Sequence, residues 1–231
     1  MILSAEAGAM AVTDISIYIC CQSLSSTAEY DQHMARWEPD SRGRLERAAL
    51  VLYAERGFEN TTVAEIAARA GLTERTFFRH FADKREVLFW GADALQALLV
   101  SAVEDAPESA SPIEAIISAL EATGPLFEER RDSARQRQRV INANTELRER
   151  ELIKLASLAS ALADALRRRG VPDPAATLTA EAGIAVFRVA FARWVSDNGS
   201  RGLPHYIQES LGELQTVTAG RSAAAPAPAV T

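Results

Sequence analysis

Residues 61–84 read TTVAEIAARAGLTERTFFRHFADK and constrain the fold of this chain more than any other stretch. Thr62 followed by Glu65 forms a capping box, which sets the start of a short helix whose apolar residues recur at helical spacing. Gly71 ends that helix, because glycine readily adopts the left-handed conformation found after a helix. Thr73 can then cap a second helix. The stretch therefore predicts two short helices joined by a tight turn.

The second predicted helix has two different faces at 100° per residue. Phe77 and Phe81 lie together on a face that can be buried, whereas Arg75 and Arg79 lie on the opposite side. A helix presented in this way fits the major groove, where arginine binds guanine through two hydrogen bonds worth about 1–3 kcal/mol of discrimination. Capped helix pairs also occur in helical proteins of other function. The geometry alone leaves both DNA binding and an ordinary solvated arginine face open.

The residues themselves resemble a known family. The capped helix, the Ala-Gly-Leu-Thr turn, the run Arg75-Thr-Phe-Phe-Arg-His-Phe81, and then Lys84 and Leu88, are similar to the DNA-binding region of the TetR family of bacterial transcriptional regulators. The resemblance spans residues 44–88. It implies an all-α protein with an N-terminal three-helix helix-turn-helix domain, followed by a helical ligand-binding and dimerisation domain. Such regulators are homodimers and most often repressors that a small molecule releases from a palindromic operator.

Two groups of side chains are expected to contact DNA on the basis of this resemblance. Those expected to read bases are Glu74, Arg75, Thr76 and Arg79. Those expected to contact phosphate or sugar are Arg44, Thr62, Thr73, Phe78, His80 and Lys84. Phe78 departs from the tyrosine that is usual in the family. Because it has no hydroxyl group, it is expected to make only apolar contact with a sugar or a thymine methyl group.

The net charge of the chain is −6, which on its own argues against a nucleic-acid partner. Residues 34–86 nevertheless carry ten basic and nine acidic side chains, so the negative excess lies elsewhere. Binding through a few clustered arginines should depend strongly on salt. The adjacent Cys20 and Cys21 and the three dispersed histidines show no metal-ligand spacing. Neither a phosphate-binding glycine loop nor a nucleophile motif occurs, so the sequence predicts no enzyme, metal or cofactor.

Boundary signals divide the chain into four segments. Residues 1–40 are expected to be a disordered extension, residues 41–88 the DNA-binding domain, residues 89–218 the second helical domain, and residues 219–231 a disordered tail rich in Ala and Pro. The apolar run at residues 15–21 is too short to span a membrane and lacks the basic start of a signal peptide, which favours a cytoplasmic protein. Met34, ten residues before the first predicted helix, is a candidate for the native start.

The second domain is predicted to be helical throughout. A capping pattern at Asp83 and Glu86 opens one long helix to Glu104 that joins the domains, and Gly124-Pro125 should break the helix that follows it. The charge-dense segment 128–139 is interpreted as solvated surface rather than an anionic ligand site. Candidate residues for lining a ligand pocket are Phe127, Asn142, Thr145 and Phe187.

The last two predicted helices, residues 175–197 and 204–217, carry broad apolar faces. The resemblance favours a four-helix dimer interface formed with the same pair from a second subunit. The residues assigned to it are Phe187, Phe191, Trp194, Ile207, Leu211 and Leu214. Both apolar stripes could instead belong to the internal core.

The expected partners are a double-stranded DNA operator, a second copy of the chain and an unidentified small molecule, with no membrane. Three alternatives remain open. The regulator could be controlled by a protein partner instead of a small molecule, or it could activate rather than repress. In a different class, the chain could be a helical ligand-binding or scaffolding protein that does not bind an operator.

Overall fold

The computed structural model describes residues 40–199 and 201–220, and within these residues all regular secondary structure is helical, with no strand. This confirms the all-α prediction. The predicted disordered segments 1–40 and 219–231 and the candidate start at Met34 lie outside the described residues, apart from Asp40, Ala219 and Gly220. The helices are α1 (Ser41–Arg56), α2 (Val63–Arg69), α3 (Glu74–His80), α4 (Ala92–Glu104), α5 (Pro112–Ala122), α6 (Gly124–Glu128), α7 (Arg131–Ala143), α8 (Thr145–Arg168), α9 (Ala175–Ser196) and α10 (Leu203–Thr218).

The described residues form two compact units that divide between Trp90 and Gly91. The first unit consists of α1, α2, α3 and a 3₁₀ turn at Glu86–Leu88. Gly57 ends α1 with a φ of 84°, and the Phe58 ring then packs edge-on against Tyr53 at a centroid distance of 5.2 Å. The core of this unit is made of buried side chains from all four elements: Leu45, Ala49, Leu52, Tyr53, Phe58, Ile66, Ala67, Phe77, Phe81, Val87, Leu88 and Phe89.

The single helix predicted from Asp83 to Glu104 is wrong. Asp83 accepts hydrogen bonds from the backbone N–H groups of Arg85 and Glu86 at 2.8 and 3.2 Å, as a cap would, but only a 3₁₀ turn follows. The next three residues, 87–89, are all buried. These side chains belong to the core of the first unit, and the turn that carries Val87 and Leu88 is 3₁₀ rather than α-helical. Helix α4 begins only at Ala92.

The second unit is built around α9, which packs against α5, α7, α8 and α10. Its core is a single apolar cluster whose largest fully buried members are Leu99, Ile116, Leu120, Leu162, Leu166, Trp194 and Tyr206. The break predicted at Gly124-Pro125 is confirmed, because α5 ends at Ala122 and α6 starts at Gly124. A side chain at Gly124 would place its Cβ 2.6 Å from Pro204, so glycine allows α6 and α10 to approach closely.

The charged segment 128–139 is not simply solvated surface. Arg131 donates hydrogen bonds to the carbonyl oxygens of Gly199, Trp194 and Asp197 at 2.9, 3.0 and 3.2 Å. Arg135 donates to the carbonyl of Val195 at 3.0 Å and also to that of Asp197. These carbonyls lie at the carboxyl end of α9, where a helix leaves acceptors without intrahelical partners. The two arginines therefore hold the end of the central helix.

Two segments, Glu86–Glu104 and Ala175–Ser196, are long and apolar enough to span a bilayer, each with a mean hydropathy of 1.4. Length and composition alone are weak evidence for a membrane span, because core helices share both. The second segment is α9, which supplies Trp194 and Phe187 to the core of its unit.

Candidate nucleic-acid interface

The turn between α2 and α3 has the capping geometry that the sequence predicts. Thr62 accepts a hydrogen bond from the N–H of Glu65 at 3.2 Å, and Glu65 accepts from the N–H of Thr62 at 2.9 Å. These bonds from Thr62 lower the pKa of Glu65, so the carboxylate stays charged at the start of α2, where the helix dipole favours it. Gly71 follows α2 with a φ of 67°, in the left-handed region.

Arg44 is turned toward this turn rather than outward. Its guanidinium donates to the carbonyl oxygen of Ala70, and a Cβ added at Gly71 would lie 2.7 Å from its Nη2 atom. The side chain thus satisfies a carbonyl at the end of α2 and occupies the space beside the glycine. We therefore revise the predicted phosphate contact of Arg44 to a structural role that ties α1 to the turn.

Helix α3 is anchored by two phenylalanines. Thr73 caps the helix by accepting from the N–H of Thr76 at 3.2 Å. Phe77 is fully buried, Phe81 is 4% exposed, and their ring centroids are 5.4 Å apart. Because these side chains face the core, Arg75 and Arg79 project into solvent, and both are exposed.

The two outward arginines of α3 differ from most of the other arginines of the first unit. Arg42 is also exposed, and its guanidinium lies 5.6 Å from the centroid of the Trp90 ring. Four others are ion-paired, in the pairs Arg47–Asp40, Arg56–Glu65, Arg69–Glu55 and Arg85–Asp83. The side chains of Arg75 and Arg79 form no hydrogen bond or ion pair with any residue in the described ranges 40–199 and 201–220. Glu74 is likewise exposed and has no such bond within those ranges. The exposed side of α3 therefore carries two guanidinium groups whose charge is not satisfied within the described part of the chain.

Lys84 does not have the position that the sequence assigned to it. Its ammonium group donates to the carbonyl oxygens of Phe58, Thr61 and Glu59 at 2.9, 3.2 and 3.4 Å. It also lies 4.3 Å from the centroid of the Phe58 ring. A lysine has three donors, and three carbonyls take them. Lys84 thus anchors the loop before α2, and its phosphate contact stays a prediction.

His80, the last residue of α3, lies beside the start of α1. Its Nε2 atom is 3.1 Å from the hydroxyl of Ser41. Partial burial lowers the pKa of His80, and the positive charges of Arg42 and Arg79 lower it further. A neutral imidazole among arginines is able to take up a proton when anionic groups approach. His80 is thus compatible with the phosphate contact predicted for it.

The hydroxyl groups predicted to contact phosphate or bases are already used in caps. The Thr62 hydroxyl donates to Glu65 at 2.9 Å, and the hydroxyls of Thr73 and Thr76 are 3.1 Å apart. Each of these hydroxyl oxygens can still accept a further hydrogen bond. The Thr62 proton is used, and of the Thr73 and Thr76 hydroxyls only the one that accepts in their mutual bond keeps its proton free for another acceptor. These residues hold the turn in shape, and any contact they make with DNA is additional to that role.

The four predicted ligand residues do not come together. Phe127 and Phe187 are in contact at a centroid distance of 6.1 Å, within an aromatic group that also contains Phe191 and Trp194. Asn142 and Thr145 are exposed instead. Asn142 accepts from Gln138 at 3.1 Å and Thr145 accepts from Arg148 at 3.0 Å, both on the surface.

The predicted dimer residues fall into two classes. Trp194 and Ile207 have no exposed surface within their own chain, so the structure contradicts their assignment to an interface. Trp194 instead donates its indole N–H to Glu128 at 2.8 Å, under the guanidinium of Arg131. Phe187 is 8% exposed, while Phe191, Leu211 and Leu214 are half-buried against the core.

A different apolar face of α9 is exposed, and the sequence analysis missed it. Leu178 and Val189 are 65% and 53% exposed. The other positions on this face of the helix are alanines, and successive positions are alternately four and three residues apart. We call this face the seam; its residues are Leu178, Ala182, Ala185, Val189 and Ala192. This spacing is that of the contact positions between paired helices. It could have been found by testing the helix for a second apolar stripe beside the core one.

Comparisons with known proteins agree with this geometry. Residues 46–89 match the family described as "Bacterial regulatory proteins, tetR family", and residues 110–219 match the "MftR C-terminal domain". The chain is 39% identical over 82 residues to the HTH-type transcriptional regulator TcmR of Streptomyces glaucescens, an alignment that spans 36% of each chain. It is 29% identical over 89 residues to an HTH-type regulator of Mycobacterium tuberculosis H37Rv, which spans 38% of this chain and 46% of that one. The chain thus matches less than half the length of these relatives.

Solved structures resemble nearly the whole described fold. A TetR-family transcriptional regulator from Syntrophomonas wolfei superposes with a TM-score of 0.56 at 17% identity, covering 80% of this chain and 98% of that one. A transcriptional regulator from Pseudomonas aeruginosa PAO1 gives a TM-score of 0.55 at 18% identity, covering 82% and 97%. At such identities the likeness concerns the fold alone.

Proposed function

Because the chain belongs to the TetR family of bacterial transcriptional regulators, we propose that it is a homodimeric repressor whose two α3 helices bind successive major grooves of a palindromic operator. The single observation that carries the proposal is that Arg75 and Arg79 are exposed and have no partner among the described residues, while four neighbouring arginines have acidic partners. Such guanidinium groups can bind guanine O6 and N7 through two hydrogen bonds. A regulator of this kind acts in the cytoplasm, where the chromosome lies.

The contacts divide between base reading and positioning. Arg75 and Arg79 would read bases, with Thr76 beside them and Glu74 able to accept from cytosine N4. His80 would contact phosphate, and Thr62 and Thr73 would reach the backbone only through their remaining lone pairs. Arg44 would contribute indirectly by holding the turn before α3, and Lys84 by holding the loop before α2.

The test is binding to the DNA immediately upstream of the coding region, compared with an unrelated duplex of equal length at two salt concentrations. We expect selective binding that weakens with salt. The variant Arg75→Ala/Arg79→Ala should lose at least about 100-fold in affinity for the specific duplex, since each base contact is worth about 1–3 kcal/mol. A matched control, Arg56→Ala/Arg69→Ala, removes two ion-paired arginines from the same unit and should retain selective binding.

Equal and weak binding of both duplexes would be followed by selection from a randomised duplex library. Failure to enrich any sequence, or wild-type affinity of the Arg75/Arg79 variant for the enriched one, would refute the proposal. A helical ligand-binding or scaffolding protein would then be the better description.

We place the dimer contact on the exposed seam of α9. A helix that presents leucine, valine and alanine to solvent over five successive contact positions leaves apolar surface that a second copy of the same helix can cover. Leu211 and Leu214 of α10 are half-buried, and we keep them in the proposal as further interface residues. Phe191 lies on the other side of α9, where it packs against Phe127 and Phe187.

Val189→Glu should convert the dimer into a monomer in sedimentation equilibrium, because two carboxylates would meet across the two-fold axis. Leu152→Glu is the matched control, since Leu152 is equally exposed, at 51%, on α8. Dissociation by the control but not by Val189→Glu would move the interface to α8. The monomer should bind operator DNA weakly, because it can engage only one half-site at a time.

We further propose that a small molecule binds next to the aromatic group of Phe127, Phe187, Phe191 and Trp194. Phe127 contacts the other three rings and is half-buried, so part of its side chain is accessible to a ligand beside the group. A ligand would release DNA only if it bound the non-binding arrangement of the dimer more tightly than the DNA-bound one. In a screen for compounds that dissociate the operator complex, Phe127→Ala should abolish the response, and Asn142→Ala should leave it unchanged. If no compound acts, a protein partner becomes the preferred regulator.

A further inference from the structure

Phe78 carries the one strongly exposed aromatic ring on the described surface. It is 55% exposed, whereas every other described phenylalanine, tyrosine or tryptophan is buried or half-buried. The position lies on α3, one residue before Arg79 and three after Arg75. The exposed ring therefore shares the outward side of α3 with the guanidinium groups of Arg75 and Arg79.

The direction of the ring is set by its neighbour. Phe78 packs edge-on against Phe77 with a centroid distance of 5.5 Å and an interplanar angle of 80°. Phe77 is fully buried, so this contact gives the exposed ring a fixed support. Long side chains on a helix lean toward its N-terminus, which for Phe78 is the side of Glu74 and Arg75. In helix-turn-helix proteins the N-terminal part of the recognition helix approaches the base edges.

The chemistry of the ring restricts what it can recognise there. A phenyl group cannot donate a hydrogen bond to a phosphate. The apolar group that a base presents in the major groove is the C5-methyl of thymine, and 5-methylcytosine carries a methyl on the same carbon. A sugar contact would also bury apolar surface, but sugars line the edge of the groove, away from the base-reading end of α3.

We propose that Phe78 determines specificity by packing on the C5-methyl group of a pyrimidine in each half-site. The protein would accordingly distinguish thymine from uracil, and 5-methylcytosine from cytosine, at that position. The inference rests on the proposed function, because it assumes that α3 lies in the major groove.

The experiment starts from a duplex enriched by the full-length protein from a randomised library. Each thymine of the half-site is replaced in turn by deoxyuridine, which removes only the methyl group, and the Kd is measured for the wild type and for Phe78→Ala. At one position we expect deoxyuridine to weaken wild-type binding about fourfold per half-site, the equivalent of ~0.8 kcal/mol for one buried methyl-sized group. Phe78→Ala should bind the thymine and uracil duplexes equally at that position.

Two controls separate the methyl contact from general weakening. Arg79→Ala should lower affinity but retain the thymine-to-uracil ratio, and Phe78→Leu, which retains apolar bulk, should retain part of it. A second duplex carries a cytosine–guanine pair in place of the thymine–adenine pair at that position. Replacing this cytosine by 5-methylcytosine should raise the affinity of the wild type and leave that of Phe78→Ala unchanged.

The proposal is overturned if the wild type and Phe78→Ala show the same thymine-to-uracil ratio at every position. A loss of affinity by Phe78→Ala that is equal on both duplexes would assign the ring to a sugar and would also overturn it. The failure of the proposed function looks different, because then no sequence is enriched or the Arg75/Arg79 variant binds like the wild type. That result would refute both statements together.

Discussion

Two arginine pairs in this protein have the same spacing and opposite surroundings. Arg75 and Arg79 in α3, like Arg131 and Arg135 in α7, are four residues apart on one helical face. The α7 pair donates hydrogen bonds to carbonyl oxygens at the end of α9. The side chains of the α3 pair form no hydrogen bond or ion pair with any residue of the described ranges. Spacing alone therefore does not distinguish an arginine that holds its own fold from one that is available to a ligand.

The strongest test of this comparison removes the α7 pair. Arg131→Ala/Arg135→Ala leaves carbonyls at the end of α9 without donors, and hydrogen bonds to charged groups contribute about 1.5–3 kcal/mol each, without adding fully. We expect the free energy of unfolding in urea to fall by at least about 3 kcal/mol. Arg75→Ala/Arg79→Ala should keep the wild-type value within about 0.5 kcal/mol, as exposed substitutions do. If both variants unfold like the wild type, the α7 pair is solvated surface after all.

Lys84 allows the same comparison to be made inside the first unit. The sequence predicts that it contacts DNA, whereas in the structure its ammonium group donates to three carbonyl oxygens. Lys84→Met should lower the free energy of unfolding by about 2–3 kcal/mol, while Arg47→Ala, which removes an exposed ion pair, should cost less than about 1 kcal/mol.

The salt dependence of DNA binding separates the two roles of Lys84. A lysine that neutralised a phosphate would contribute about 0.9 per subunit to the slope of log K against log salt. The slope of Lys84→Met should equal that of the wild type. A slope smaller by about 1.8 for the dimer would instead support the predicted contact of Lys84 with phosphate.

Gly71 tests the internal role of Arg44. Gly71→Ala forces an alanine into the left-handed region, which costs about 1–2 kcal/mol, and also places a methyl group where the Arg44 guanidinium lies. Gly57→Ala is a control for the backbone cost alone, since its φ is also positive, at 84°, but the added Cβ would meet no atom within 4 Å. Gly91→Ala, with φ at −78° and open space, should be nearly neutral. Equal losses at Gly71 and Gly57 would show that Arg44 moves aside at no cost.

Sequence reasoning was most successful where a local interaction determines the structure. The capping box of Thr62 and Glu65, the stop at Gly71 and the buried faces of Phe77 and Phe81 all depend on residues within one or two turns of each other, and the structure contains each of them. The all-helical fold follows from the same kind of local pattern.

Sequence reasoning failed where a side chain binds a partner that is distant in the chain. Lys84 meets carbonyls more than 20 residues away, and Arg131 meets carbonyls more than 60 residues away. Nothing in the local pattern specifies such acceptors. The break before Gly91 is another case, because burial of Val87 and Phe89 in the first unit overrides a helical pattern that the residues themselves favour. Trp194 was assigned to the dimer because its apolar stripe was visible, whereas its partner Glu128 was not.

The smallest effect is expected for His80, which combines features of the structural and the outward-facing side chains. It has one partner inside the fold, Ser41, and it is partly exposed next to Arg79. In the DNA-free protein, burial and the charges of Arg42 and Arg79 hold its pKa below the ordinary value of about 6.5. The carboxylate nearest to His80 in the sequence, Asp83, is engaged with Arg85 and the N–H of Glu86. Asp40, which precedes Ser41, is engaged with Arg47 and the N–H of Gly43. DNA phosphates would offset the arginine charges and raise the pKa of His80, so binding would take up a proton. Affinity for the operator should therefore fall as the pH rises through the interval between the free and the bound pKa, by less than one log unit per subunit for each pH unit.

The measurement is the Kd of the operator complex between about pH 5.5 and pH 8, a range centred near the ordinary histidine value, at constant ionic strength. His80→Gln retains a hydrogen-bonding group for Ser41 but does not titrate, and its affinity should vary less with pH than that of the wild type. If His80 were purely structural, the substitution would change the affinity but leave its dependence on pH the same. Superimposable pH profiles would therefore group the imidazole with Lys84 and Arg44, whose partners lie inside the fold.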